Sequence, residues 1–174
     1  QQFASMIDEI RYNQEGLSPA ALMEIRKLKS RMESERMPRG IDPTLHIKLG
    51  PGGLSDVEWV AQILQMQHAH QHSSLRTTKT ISTLRAAADL GLITKSDANT
   101  LIEAWTLATR VRNAIVLVKG RPSDVVPKDM LDLGRIGQML GYGPRSGQLL
   151  MDDYRKAPRR ARQVTMSLLY GQAD

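Results

Sequence analysis

The sequence contains no cysteine among its 174 residues, which excludes disulfide frameworks, thiolate metal sites and cysteine nucleophiles. Aromatic residues are few, with one Phe, two Trp and four Tyr, so a base-stacking platform for single-stranded nucleic acid is not expected. No apolar run approaches the ~20 residues that span a bilayer, and the N-terminus lacks the pattern of a signal peptide. We therefore expect no nucleic-acid partner, no membrane partner and a cytoplasmic location.

The charge balance is moderately basic. The sequence has 24 Lys and Arg against 18 Asp and Glu, a net charge of +6, which is less than a nucleic-acid arm would carry. Its length corresponds to roughly one average domain. Apolar residues already recur at helical spacing from Phe3 to Ile10 without an initiator Met. These features predict one domain cut from a longer protein.

Helical periodicity dominates the chain. Ser18 and Pro19 form a strong helix start, Thr94 or Ser96 caps a long apolar-striped helix, and glycine or proline separates the segments. The predicted helices cover about 3–11, 19–37, 55–70, 80–90, 96–118, 129–140 and 146–170. The predicted fold class is an all-α bundle of about six or seven helices with one short orphan strand.

The orphan strand is predicted at residues 45–49. Leu45, Ile47 and Leu49 alternate with polar residues, which is the period of a half-buried strand. No other stretch has this period. The strand therefore has no predicted partner within the chain, and its unpaired edge is expected to be irregular or mobile.

A glycine-rich turn follows the predicted strand and precedes a helix. Lys48, Gly50, Gly52 and Gly53 could form a phosphate site, because glycine allows close backbone approach and helix N-termini favour anions. The lysine precedes the glycines, so the order differs from that of a Walker P-loop. The alternative is a plain turn beside a solvated lysine.

Two acidic residues stand at the start of the following helix. Ser55 to Glu58 match a capping box, and Asp56 lies in the first turn, where the helix dipole favours a carboxylate. Asp56 and Glu58 are two residues apart, so they project about 200° from each other and cannot act on one substrate atom. Their roles as caps and as functional groups both stay open.

Two further clusters are candidates. His68 and His72 are one helical turn apart beside His70, but no carboxylate or cysteine nearby completes a zinc site, so no metal site is predicted. Arg155, Arg159 and Arg162 recur at i, i+4 and i+7 and form one basic helical face. This face is either solvated or a docking surface for an acidic partner.

Several motifs together resemble a known family. The motif Lys48-x-Gly50-x-Gly52-Gly53-Leu54-x-Asp56-Val57-Glu58, preceded by Pro38-Arg39-Gly40, resembles the segment after the catalytic core of glutamine synthetase adenylyltransferases. The short motifs that resemble the C-terminal end of the actinobacterial members are Tyr154-Arg155, Arg159-Arg160-Ala161-Arg162 and Leu169-Tyr170-Gly171. The resemblance covers nearly the whole chain.

The resemblance implies a two-headed parent enzyme of nitrogen regulation. One half attaches AMP from ATP to a tyrosine of glutamine synthetase and the other half removes it, each with a nucleotidyltransferase domain followed by a helical domain. The family binds its catalytic metal through a Gly-Ser stretch followed by an Asp-x-Asp pair, and this chain has neither. By this resemblance the parent uses ATP and Mg²⁺, while the chain alone holds no catalytic residue and binds neither tightly.

The resemblance also divides the chain and assigns expected roles. Residues 1–43 would be linking helices after the missing catalytic domain, and residues 44–174 the C-terminal helical domain. Lys48, Gly52 and Gly53 would contact a nucleotide phosphate, and Asp56 and Glu58 would line the catalytic cleft. The partner of the orphan strand would lie in the nucleotidyltransferase domain in cis. The alternative is a structural or partner-binding domain that docks glutamine synthetase or the PII signal protein, with the glycine turn as a hinge.

Overall fold

The structure is a computed structural model that describes residues 15–171 together with Ile7 and Tyr12. Apart from Ile7, the helix predicted at 3–11 lies outside the described residues. Six α-helices of 10 to 25 residues dominate the described part. They are α1 (Pro19–Arg36), α2 (Leu54–His68), α3 (Thr80–Asp89), α4 (Lys95–Lys119), α5 (Met130–Met139) and α6 (Ser146–Tyr170). The predicted all-α bundle is confirmed.

Side-chain caps account for the starts of three of the six described α-helices. The Ser18 hydroxyl accepts the Ala21 N–H at 3.2 Å, and Pro19 occupies the first turn of α1. The Thr94 hydroxyl accepts the Asp97 N–H at 3.0 Å at the start of α4. Each cap satisfies a backbone donor that has no partner within the helix, so these starts could be predicted from sequence.

The capping box predicted at Ser55 is wrong. Helix α2 begins at Leu54 with Gly53 as its N-cap, and no side chain caps it. Ser55 therefore lies inside the first turn. The physical reason is that carbonyl groups of the preceding chain reach the first N–H groups of α2, which removes the need for a hydroxyl cap.

The predicted orphan strand is also wrong, since the segment is neither a strand nor without a partner. Pro43–Leu45 is a short 3-10 helix, and His46 forms a single antiparallel bridge with Val125. The Ile47 N–H donates to the Asp124 carbonyl at 2.6 Å, and the Val126 N–H donates to the Leu45 carbonyl at 2.9 Å. Three successive residues from Leu45 to Ile47 are buried, so burial does not alternate as it would in a half-buried strand. Its partner is a loop without strand periodicity.

Two apolar clusters form the core, and the long helices α4 and α6 contribute to both. The first cluster lies among α2, α3, the first half of α4 and the end of α6. The second lies among the second half of α4, α5 and the start of α6, and includes Leu45, Ile47 and Leu54. Segment 45–54 therefore packs where the two halves of the bundle meet.

Helix α1 is attached to the bundle mainly through side chains. Leu22 and Ile25 pack against the first cluster, and the Arg26 guanidinium lies 5.8 Å from the ring centre of Tyr170. Lys29 is the buried residue of α1. Helical spacing would group Leu28 with Ile25 in the apolar stripe of α1, but Leu28 is 41% exposed, whereas Lys29 is 1% exposed.

Candidate functional site

The glycine turn packs directly against the backbone of α6. Gly52 has a φ of +70°, and a Cβ placed on it would overlap the carbonyl oxygen of Pro158 in α6. A Cβ on Gly53 would lie 2.6 Å from the Ile47 carbonyl oxygen. Both glycines are buried. Glycine is therefore required at residue 52 by its backbone conformation and by close approach of another segment.

The backbone donors of this turn already have partners within the chain. The Leu54 N–H donates to the Ile47 carbonyl and the Ser55 N–H to the Lys48 carbonyl, each at 3.0 Å. The Gly52 N–H donates to Asp56 Oδ2 at 2.7 Å. The carboxylate of Asp56 therefore occupies the position beside the glycine turn where an external anion would otherwise be expected.

Asp56 is the centre of a buried ion network. Its side chain is 4% exposed, and Oδ1 accepts from Lys29 Nζ at 2.6 Å while Oδ2 accepts from Arg162 Nη1 at 2.9 Å. Glu33 bonds to both cations, accepting from Lys29 and, at 2.8 Å, from Arg162. We call these four residues, Lys29, Glu33, Asp56 and Arg162, the ion network. It connects α1, α2 and α6 with a formal charge of zero.

The ion network favours the charged forms of Asp56 and Arg162 despite their burial. Burial alone would raise the pKa of Asp56, but attraction and hydrogen bonding from Lys29 and then Arg162 lower that pKa below its usual value. Burial opposes the charge of Arg162, yet its hydrogen bonds and attraction to Glu33 and Asp56 raise its pKa. Asp56 is therefore a carboxylate in the neutral range.

The other predicted site residues are not in the ion network. Lys48 contributes its carbonyl to the α2 start, but its side chain is exposed. Glu58 is half-buried and is not among the hydrogen-bond and ion-pair partners of Asp56 in the described chain. The structure thus brings Gly52, Gly53 and Asp56 together and leaves Lys48 facing solvent.

The basic face of α6 divides into two parts. Arg155 and Arg159 are exposed, whereas Arg162 is half-buried in the ion network. The exposed part of the predicted docking surface therefore consists of Arg155 and Arg159, while Arg162 is held by two carboxylates.

The histidines near the end of α2 are without a metal-ligand set. Burial, and then the neighbouring charges of His72 and His70, lower the pKa of His68. In the described part of the chain no three His, Asp or Glu side chains are grouped so that they could hold a metal ion. Among the described helices, none is long and apolar enough to cross a membrane.

Lys29 and Glu33 are the site residues that sequence reasoning missed. Lys29 lies four residues after Ile25 and seven after Leu22, which places it on the same side of α1 as the two apolar residues that pack on the core. A charged residue at this position of the stripe signals a buried charge that needs a partner. The identity of that partner could not be read from α1 alone.

Comparison with known proteins identifies the family. The family model described as GlnD PII-uridylyltransferase matches residues 23–169. Similar proteins named bifunctional glutamine synthetase adenylyltransferase/adenylyl-removing enzyme occur in Streptomyces coelicolor, with 54% identity over 97% of this chain, and Streptomyces avermitilis, with 55% over 98%. A third, from Cutibacterium acnes, is 49% identical over 95%. The chain spans 17% of the length of each of these relatives. Its sequence is similar to one segment of these glutamine synthetase adenylyltransferases, and the chain belongs to the GlnD PII-uridylyltransferase family.

Proposed function

We propose that the chain is a helical, non-catalytic segment of a bifunctional glutamine synthetase adenylyltransferase/adenylyl-removing enzyme. The observation that carries this proposal is the identity of about half of all residues, over nearly the whole chain, with proteins of that name. AMP transfer from ATP to a glutamine synthetase tyrosine, and its removal, would take place in other domains. The missing Asp-x-Asp pair supports this division, because phosphoryl transfer needs carboxylates that hold the metal.

The residues of this chain do not fit a magnesium ion at the glycine turn. Both oxygens of Asp56 accept hydrogen bonds from cations, and one of them also accepts the Gly52 N–H. A divalent cation there would have to displace Lys29 and Arg162. The Mg²⁺ that the parent enzyme uses is therefore assigned to another domain.

Within the proposed function, the glycine turn has a positioning role. The buried glycines and the ion network hold α2 against α6 and α1, and this arrangement fixes the backbone from which Lys48 extends into solvent. Of the three residues expected at a nucleotide phosphate, Lys48 has the free charged side chain. The proposed phosphate contact therefore belongs to Lys48, with Gly52 and Gly53 setting its position.

The proposal that catalysis takes place in other domains is tested on the isolated chain. Incubation with ATP, Mg²⁺ and glutamine synthetase should leave the intact mass of glutamine synthetase unchanged. The full-length parent under the same conditions should add AMP. Transfer by the isolated chain at a rate near that of the parent would refute the proposal.

The role of Lys48 is tested in the full-length parent. Lys48→Ala should lower adenylyl transfer at least about tenfold, which corresponds to about 1.4 kcal/mol of transition-state stabilisation. Lys79→Ala removes another exposed lysine and should leave the rate within about twofold. Circular dichroism checks that both variants fold. Equal rates for the two variants would favour the alternative in which the glycine turn only supports the bundle.

A partner-binding domain is the second candidate function. The observation that favours it is the exposure of Arg155 and Arg159 on α6. In this case the chain would dock glutamine synthetase or PII without touching the nucleotide. Replacement of both arginines by alanine would then weaken binding of one of these proteins, measured by surface plasmon resonance, while Lys48→Ala would not.

A further inference from the structure

A groove between α4 and α6 lies on the surface outside the ion network. Its volume is about 430 Å³, within the range of roughly 300–1,000 Å³ that is usual for binding sites. Ile102, Leu107 and Ala157 supply its apolar part, and Tyr142 lies at its edge. All of its lining residues belong to the described chain. We call it the α4–α6 groove.

Two cations on the α6 side of the groove have no partner among the described residues. Lys156 and Arg160 are exposed, stand one helical turn apart and form no hydrogen bond or ion pair in the described chain. Spacing along α6 would allow Asp152 or Asp153 to pair with Lys156. Asp153 instead accepts a hydrogen bond from the Tyr142 hydroxyl at 2.8 Å. The charges of Lys156 and Arg160 are therefore available to an external acid.

The other polar groups of the groove are fixed or face the opposite wall. Burial, followed by Asp153, raises the pKa of Tyr142 to about 12, so its hydroxyl remains a donor to that carboxylate. Arg110 donates from Nη2 to the Leu140 carbonyl at 3.0 Å, which holds a third cation at the rim. Glu103 on α4 and Asp153 on α6 are the acidic residues of the groove, and a carboxylate ligand must avoid both. The cations that line the groove, Arg110, Lys156 and Arg160, outnumber these two acids.

We propose that the α4–α6 groove docks an acidic amphipathic protein segment. Its carboxylates would pair with Lys156 and Arg160, and its apolar side chains would cover Ile102, Leu107 and Ala157. Arg155 and Arg159, on the adjoining strip of α6, extend the basic surface beyond the groove. The proposal does not rest on the adenylyltransferase assignment, because it uses no feature of nucleotide chemistry.

The groove chemistry favours a protein over a nucleic acid. A single-stranded nucleic acid gains much of its binding energy from bases stacked on aromatic rings. Tyr142 is the aromatic residue of this groove, and its hydroxyl is bonded to Asp153. The apolar surface beside Lys156 and Arg160 is instead suited to leucine-type side chains.

The probe is a fluorescein-labelled 14-residue peptide of leucine and glutamate arranged as an amphipathic helix, measured by fluorescence anisotropy with the full 174-residue chain. A matched peptide carries glutamine in place of every glutamate, and a labelled oligothymidylate tests nucleic-acid binding. We expect the acidic peptide to bind, with an affinity that falls as salt is raised, and at least tenfold more tightly than the glutamine peptide.

Two double variants with the same change in net charge locate the binding surface. Lys156→Glu with Arg160→Glu should weaken the acidic peptide at least tenfold. Lys79→Glu with Arg121→Glu changes two exposed cations elsewhere and should weaken it less than threefold. The proposal would be overturned by equal losses of peptide affinity in both double variants or by no binding of the acidic peptide. Tighter binding of oligothymidylate through the same residues would also overturn it. Thermal unfolding verifies that each variant is folded.

Discussion

Replacement of Gly52 by alanine tests the close packing of the glycine turn on α6, and the chain offers a matched control. Gly52 and Gly91 have nearly the same backbone conformation, with φ of +70° and +72°. A Cβ on Gly91 would have no heavy atom within 4 Å, whereas a Cβ on Gly52 would overlap the Pro158 carbonyl and lie 2.9 Å from the Pro158 Cα. The two substitutions therefore differ in steric overlap and share the cost of a left-handed alanine.

The expected magnitudes follow from these two contributions. A left-handed conformation costs a residue with a Cβ about 1–2 kcal/mol, and both variants incur it. Overpacking adds about 1–3 kcal/mol for Gly52→Ala alone, because the obstacle is helix backbone and not the end of a flexible side chain. Gly52→Ala should thus lower the free energy of unfolding by about 2–5 kcal/mol, against about 1–2 kcal/mol for Gly91→Ala.

Urea unfolding of the 174-residue chain, followed by circular dichroism, measures both differences. The midpoint of Gly52→Ala should be clearly below that of Gly91→Ala, with similar m-values. Coincident midpoints would show that the turn does not press on α6 as described. The inference that the glycines serve packing would then fail.

Three further predictions concern the ion network and the 45–47 segment. Asp56→Ala leaves Lys29 buried with one carboxylate fewer and should lower the free energy of unfolding by about 3–5 kcal/mol in the same urea assay. Glu24→Ala removes an exposed ion pair and should lower it by less than about 1 kcal/mol. Because the folded-state pKa of Asp56 is lowered, its contribution to stability is complete above the unfolded pKa near 3.9 and is lost as pH falls through the folded pKa. Asp56→Asn should therefore flatten the decrease in the free energy of unfolding below about pH 4. An unchanged decrease in that range would contradict this. In hydrogen exchange, the amides of Ile47 and Val126 should be protected together, since each donates across the same bridge, and rapid exchange of Ile47 alone would restore the orphan-strand prediction.

Sequence could predict the features whose causes are local. The starts of α1 and α4 depend on hydroxyls three residues from the N–H groups they accept, and such spacing is visible along the chain. The position of the glycine turn could be predicted for the same reason. The steric requirement for glycine at residue 52 could not be predicted, because the obstructing atom belongs to Pro158, more than a hundred residues away in sequence.

The missed features depend on residues distant in sequence. The position of Lys29 on the same side of α1 as Leu22 and Ile25 indicates a buried charge, but its partner Asp56 lies 27 residues later and is not identified by the pattern of α1. The bridge between His46 and Val125 joins two segments of which only one has strand periodicity. Periodicity predicts that a strand pairs with another segment of the same period. In the structure the segment at His46 pairs instead with a loop at Val125, which has no such period.

The ion network also limits how this protein can change over evolutionary time. Its two acids and two bases share hydrogen bonds, so the loss of any single member leaves the network with one unbalanced charge. Coordinated replacement by apolar residues of similar volume would remove that charge imbalance. We therefore expect the four positions to be strongly epistatic. Related proteins that lack this network should differ at two or more of the four positions together and seldom at one alone.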